Sequence, residues 1–328
     1  MNIFQKFWAW LKGLFSVSPA VEEPAPEDDA STVIEEQEVP IEVPNKVKPV
    51  VPPASILGFD PCFLPVRVDL PAPPDDSGIL LPYIHYSISL NPARRMPYYT
   101  AVNIDAERYN QLKAQIPSRK EIGADRWILD ERISKEVQLP ASFYKNNDFD
   151  LGHMVRREDA LWGDSLEQAL AANNATFYLT NATPQHKDFN RNAQRWKGLE
   201  DYALKNARQN NLRVSVFSGC VFREDDRKYK EVQIPGKFWK ILVMVKADGA
   251  LSATGYVIQQ DDLIQDITER EIGFRYEQFK TYQVPISQIE ATTGLQFQLN
   301  DFDPLQKTAT RGVELLPMAI DDFADIIF

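Results

Sequence analysis

Five runs rich in β-branched and aromatic residues limit what this chain can fold into: 83–90 (YIHYSISL), 98–105 (YYTAVNID), 176–182 (TFYLTNA), 213–222 (RVSVFSGCVF) and 237–246 (KFWKILVMVK). Such side chains fit a pleated, half-buried surface better than a helix, so each run is expected as a strand. Two stretches between them are expected as helices. Residues 164–173 open on an Asp cap and close on Asn-Asn, and residues 191–209 consist largely of long straight-chain formers. Antiparallel hairpins with helices set between them give an α+β class rather than a regular alternation of strand and helix.

Globular patterning begins near Leu57, and residues 57–328 are expected as one domain. Residues 16–56 are rich in Pro, Glu, Asp and Val with no sustained period, as in AVEEPAPEDDA and VPNKVKPVVPP. Such a segment buries too little apolar surface to order itself, which predicts a disordered, extended tether. Ahead of it, residues 1–15 carry Phe4, Phe7, Trp8, Leu11, Leu14 and Phe15 against Gln5, Lys6 and Lys12, the spacing of a short amphipathic helix. It is too short to span a bilayer. Lys12 interrupts what would be the apolar part of a signal peptide, although Ser18-Pro19-Ala20 has the form of a cleavage site. The segment 3–15 reads as an anchor on a membrane surface or a docking helix for a protein partner, with packing on its own domain as the alternative. A cytoplasmic location, at a membrane face in the anchored case, is the corresponding expectation.

The net charge of −11 argues at first against a polyanionic partner. The total misleads, because residues 1–57 hold four Lys against nine acids and leave only −6 for the rest. Local placement of Arg and Lys has to decide. Cys62 and Cys220 are far apart and in no metal-binding spacing, so neither a disulfide framework nor a zinc site is expected.

Chemistry concentrates in NNDFDLGHMVRREDALWG (146–163) and YLTNATPQHKDFNRNAQRWKGLEDY (178–202). Among only three histidines, His153 follows a glycine and is flanked by Asp148, Asp150, Arg156 and Arg157, which makes it the candidate general base at neutral pH. Phosphodiester hydrolysis needs a deprotonated water, a cation on the non-bridging oxygens and stabilisation of the departing 3′ oxygen. His153 supplies the first. One Mg²⁺ on few protein ligands supplies the others, because it keeps positions open for phosphate oxygens. Asn190, Asn192 and Glu200 are the available donors: a neutral amide leaves the ion its full charge, and Glu200 can orient the ion's water.

At these residues the chain resembles the DNA/RNA non-specific endonucleases of the ββα-metal superfamily. The family's Asp-Arg-Gly-His signature stands here as Asp150-Leu151-Gly152-His153, and its Asn-x-x-Pro-Gln run as Asn181-Ala182-Thr183-Pro184-Gln185. Trp196, Leu199 and Glu200 match its later helix. Arg94-Arg95-Met96-Pro97, Ile234-Pro235 and Phe238-Trp239-Lys240 add further ordered matches, over roughly 58–297. The resemblance implies a central, mostly antiparallel sheet flanked by helices, with a ββα finger in which the His strand faces a metal helix. It also implies His153 as base, one Asn as sole direct protein ligand of Mg²⁺ (Mn²⁺ or another divalent cation being alternatives), Glu200 in the ion's water network and Asp150 as a network partner. The expected activity is metal-dependent cleavage of DNA, RNA or both. A catalytically weakened nucleic-acid-binding module and an effector subunit docked through its N-terminus are the competing readings.

Two departures matter. The signature Arg is Leu151, which removes a cation near the phosphate; Arg126, Arg156 and Arg157 are candidates to replace it, against an alternative of surface salt bridges to Glu158, Asp159 and Asp130. Two extra residues also separate the metal Asn from Trp196, so either Asn190 or Asn192 fits, and the local wording Phe189-Asn190-Arg191 favours Asn190. His85 is expected inside a strand, His186 in a solvated loop, and the acidic runs 224–226 and 261–262 in exposed loops rather than a calcium site.

Overall fold

A computed structural model describes residues 57–122, 125–191, 196–246, 248–261, 281–309, 317–320 and 326–327. The helix expected over 1–15, the tether over 16–56 and Asn192 lie outside the described residues.

In chain order the strands are β1 (Ile79–Tyr83), β2 (Tyr86–Asn91), β3 (Met96–Asp105), β4 (Phe149–His153), β5 (Ala182–His186), β6 (Arg213–Val221), β7 (Lys228–Tyr229), β8 (Val232–Gln233), β9 (Lys237–Val245), β10 (Leu251–Gln259), β11 (Thr281–Val284) and β12 (Met318–Ile320). Helices are α1 (Ala106–Leu112), α2 (Arg119–Ile122), α3 (Leu166–Ala175), α4 (Lys187–Asn190), α5 (Trp196–Gln209), α6 (Ile286–Thr293) and α7 (Pro304–Ala309). An eight-stranded sheet runs β1-β2-β3-β6-β9-β10-β11-β12 with every neighbour antiparallel, and β4-β5 and β7-β8 form separate ribbons. The chain is thus α+β with a mostly antiparallel sheet.

Both faces of the sheet are covered, which explains why its strands read as nearly continuous apolar runs. From β9, Trp239, Ile241 and Val243 join Tyr99, Ala101, Phe217 and Ala253 on one face, where Phe59, Phe63, Ile286 and Ile289 close over them. Leu242 points the other way, to Tyr86, Ile88, Val102, Val214 and Val216, under Leu204 and Ala207 of α5. Each such large side chain contributes about 1.5–3 kcal/mol by leaving water. β3 and β6 lie side by side although residues 106–212 separate them, and Asp105 pairs directly with Arg213.

Several local expectations fail for identifiable reasons. Residues 176–182 are not a strand: a 3-10 turn at Leu179–Asn181 leads into β5. The Asn181 side chain substitutes for ladder bonds there, accepting from Val155 N at 2.8 Å and donating to the carbonyls of Val155 (2.8 Å) and Thr176 (2.9 Å). The helix expected from Asp164 starts after Ser165, whose hydroxyl caps Gln168 N, while Asp164 pairs with Arg108 at 2.8 Å. The helix expected over 191–209 is seen over Trp196–Gln209 as α5, and Arg191 is not part of it: it follows α4, whose Phe189 is buried on Phe238, and turns back onto Asp150. His85 occupies the turn between β1 and β2 with φ 68, stacked on Trp162 and bonded through Nε2 to the Trp162 carbonyl at 2.9 Å. Of the acidic runs, Asp226 is buried between Arg94 and Arg223, and Asp261 pairs with Arg223 at 2.6 Å, so neither is a solvated loop charge.

Candidate active site

The site is built on the β4-β5 ribbon. Its register sets Asp150 opposite Gln185, Gly152 opposite Thr183 and His153 opposite Ala182. Glycine is required at 152, because a Cβ there would fall within the buried Gln185 side chain. β5 runs directly into α4, whose first turn is fixed by His186: its Nδ1 accepts from Asp188 N at 3.2 Å. His186 is therefore a half-buried helix cap and not a solvated loop residue. Lys187 ties the same corner to Asp148, through Nζ at 2.7 Å and through its backbone N–H to the Asp148 carbonyl at 2.9 Å.

Gln260, just after β10, fastens the ribbon to the main sheet. Its Oε1 accepts from His186 N at 2.8 Å, and its Nε2 donates to the carbonyls of Pro184 (3.1 Å) and Pro235 (2.8 Å). Nothing in the sequence signals this role.

Asp150 and Asn190 are brought together. Asn190 Nδ2 donates to Asp150 Oδ2 at 3.0 Å, and Arg191 grips the same carboxylate from Nε at 2.9 Å and from its terminal nitrogen at 2.7 Å. A carboxylate only accepts, so the amide must turn its nitrogen towards Asp150 and its oxygen away. That oxygen receives no hydrogen bond among the described residues. A neutral, oriented and unused carbonyl oxygen is a suitable donor for a hard divalent cation. Among the described residues there is no cluster of three or more His, Cys, Asp and Glu side chains that could hold a metal.

His153 packs between aromatic rings, 4.5 Å from Trp127 and 4.9 Å from Phe177, centroid to centroid. Its Nε2 is buried and has no hydrogen-bond partner among the described residues. Burial, reinforced by the positive charges of Arg157, Arg119 and Arg156, pushes the imidazole down to about 3. At neutral pH the ring is therefore uncharged and able to accept a proton. Trp127 follows Arg126 directly in the ADRWILD run, yet nothing in that run marks it as a neighbour of His153.

The remaining expected residues divide. Arg126 is exposed and makes no ion pair among the described residues; Asp130, its expected alternative partner, is held by Arg132 at 2.6 Å and by the Tyr83 hydroxyl at 2.6 Å. Arg156 reaches Asp201 of α5 at 2.6 Å and Glu158 at 3.6 Å. Glu200 belongs to α5, but its side chain lies outside the described residues. Leu151 packs against Met96, Leu139, Phe143, Tyr144, Val232 and Ile234, so position 151 faces an apolar cluster.

A family model described as DNA/RNA non-specific endonuclease matches residues 70–303. Among curated relatives, the uncharacterized protein y4fB of Sinorhizobium fredii is 36% identical over 264 residues, covering 73% of this chain and 38% of that protein. Human mitochondrial endonuclease G is 28% identical over 185 residues, 52% of this chain and 55% of the relative. A nuclease of Nostoc sp. is 26% identical over 168 residues, 50% and 56% respectively. The chain thus spans about half or less of the length of these relatives. In fold it is similar to a chain in the crystal structure of the EndoG/EndoGI complex, with TM-score 0.50 and 21% identity over 71% of this chain and 91% of that one.

Proposed function

Because the chain belongs to the DNA/RNA non-specific endonuclease family, we propose that it hydrolyses phosphodiester bonds of DNA, RNA or both, with His153 as general base and a divalent cation on Asn190. The observation that carries this reading is the Asp150–Asn190 bond, which fixes the amide and leaves its oxygen unused, through an Asp150 that stands three residues before His153 on the same strand. Mg²⁺, or Mn²⁺ in its place, would be held by Asn190 Oδ1 and would supply positive charge to the phosphate oxygens and the departing 3′ oxygen.

The protein's own residues do the rest. Neutral His153 takes the proton of the attacking water. A ring held near 3 is a weak base, but it is held there partly by three guanidinium groups. An incoming phosphate diester neutralises part of that charge, so substrate itself raises the proton affinity of His153 at the moment it is needed. Trp127 and Phe177 fix the ring plane. Asp150, restrained by Arg191, keeps the Asn190 amide from rotating. Exposed Arg126 and partly buried Arg156 would steer and hold the polyanion, and Glu200 would orient water beside a bound cation.

The test is nicking of supercoiled plasmid by the full chain with Mg²⁺ and with EDTA, alongside digestion of an RNA transcript. Conversion to relaxed and linear forms with Mg²⁺ only is expected. Binding of plasmid without cleavage in either condition would replace the enzyme reading by that of a binding module.

A further inference from the structure

The family signature lacks its cation here, and Leu151 is packed where a charged side chain would face an apolar cluster. Positive charge must come from elsewhere if the site is to hold a phosphate diester. The structure supplies it across Phe177 from His153. Phe177 packs edge-on to the His153 ring at 4.9 Å, and the Arg157 guanidinium lies over the same Phe177 at 5.7 Å. Arg157 is only 12% exposed, and burial pushes its guanidinium down from its ordinary range. A partly desolvated cation needs an anion. Among the described residues one carboxylate lies within ion-pair distance of it, Asp125 at 3.3 Å, and the second oxygen of Asp125 meets Arg119 at 3.2 Å. Two guanidinium groups converging on two oxygens of one anion is the arrangement that binds a phosphate.

We propose that Arg157 and Arg119 form a clamp for a backbone phosphate of the nucleic acid, replacing the cation lost at Leu151, and that Asp125 occupies the clamp until substrate displaces it. The inference rests on the nuclease reading for the identity of the polyanion. Asp125 is suited to leave. Its bonds of 3.2–3.3 Å are longer than the 2.7–2.9 Å usual for charge-assisted pairs, whereas Asp150 holds Arg191 at 2.7 Å. Asp125 is also a third exposed, and exposed pairs contribute little to stability. A phosphate diester offers the same two charged oxygens as the carboxylate, stays charged at any pH of interest, and is covalently attached to further phosphates bound elsewhere on the surface.

The test is binding of a fluorescein-labelled duplex DNA by the full chain in EDTA, followed by anisotropy across a salt series, so that cleavage does not enter the measurement. Arg157→Gln is expected to weaken binding roughly tenfold and to reduce the slope of log K against log salt by about 0.9, the loss of one phosphate contact. Arg157→Lys should retain the slope. Asp125→Asn distinguishes the clamp from a structural ion-pair triad: it is expected to tighten binding several-fold and lower KM with kcat unchanged, and to have no effect once Arg157 is Gln. Looser or unchanged binding in Asp125→Asn, or an unchanged salt slope in a folded Arg157→Gln, overturns the proposal. If wild-type chain binds in this way but never cleaves, the clamp stands and the nuclease reading falls. If it cleaves while these variants bind like wild type, the reverse holds.

Discussion

Asn190 donates its amide hydrogen to Asp150 across the corner between α4 and β4, at 3.0 Å, so the residue that orients the candidate ligand belongs to the same strand as the candidate base. Asp150→Ala should leave Asn190 free to rotate and lower Mn²⁺ affinity about 10–100-fold, the usual cost of losing a group that orients a ligand. Asp150→Asn, which still offers an acceptor oxygen, should lose less. Calorimetric titration of Mn²⁺ checks this, and equal affinities for wild type and Asp150→Ala would remove Asp150 from the site.

His153→Ala is expected to reduce the cleavage rate about 10²–10⁴-fold, the range for losing a general base, with DNA affinity in EDTA nearly intact. Cleavage near the wild-type rate would assign the base elsewhere.

Asn190→Ala should abolish activity and weaken Mn²⁺ binding, while Asn192→Ala has the smaller effect. The opposite ranking moves the ligand to Asn192; an unchanged Mn²⁺ isotherm in both variants would exclude a single-Asn metal site.

Gly152→Ala puts a methyl group into the Gln185 side chain. Overpacking of this kind costs about 1–3 kcal/mol, readable as a lowered Tm. The double variant Gly152→Ala/Gln185→Ala should recover part of the loss. If the single variant melts like wild type, the ribbon accommodates a side chain at 152 and the glycine has another purpose.

His85 predicts an acid limb in stability. Burial holds it neutral down to about 4 in the folded chain, whereas in the unfolded chain it takes a proton near 6.5. Between those values the unfolded state binds more protons, so stability falls as pH falls from about 6.5 to about 4 and does not depend on this residue above that window. His85→Asn, which tolerates the positive φ of this turn, should flatten the Tm profile in the same window. His153 acts in the same direction and leaves a residual slope. Parallel profiles for the two proteins would show that His85 carries no proton-linked stability.

The main strands were legible because their burial is two-sided: residues 98–105, 213–222 and 237–246 announce themselves by composition, and the structure places a strand in each. β5 was not, because ATPQH lacks a strand's composition and Pro184 is tolerated only in a narrow ribbon. That Arg191 stands outside a helix was hidden for a related reason. Helix propensity is a local quantity, whereas Arg191 is drawn to Asp150 and Phe189 beside it to Phe238, both contacts set by tertiary structure. The Asp150–Asn190 pair and His153 could be read from motif wording, but Gln260, which fastens the ribbon, comes from a segment with no motif, and beside Arg126 nothing marks Trp127 as a neighbour of His153 or Asp125 as a partner of Arg157.

Asp105 and Arg213 face each other as a register pair, joined by an ion pair at 3.2 Å, and between them runs every residue from 106 to 212, including His153, Asn190 and the proposed clamp residue Arg157. In an antiparallel ladder such partners have Cα atoms about 5 Å apart. The proposed chemistry would thus be carried by a segment whose two ends enter and leave the sheet at nearly one point. Its loops can change length without moving those ends, but its position is held by Leu204 and Ala207 over the strands and by Phe189 on Phe238, so a change in its core contacts would be felt by the sheet.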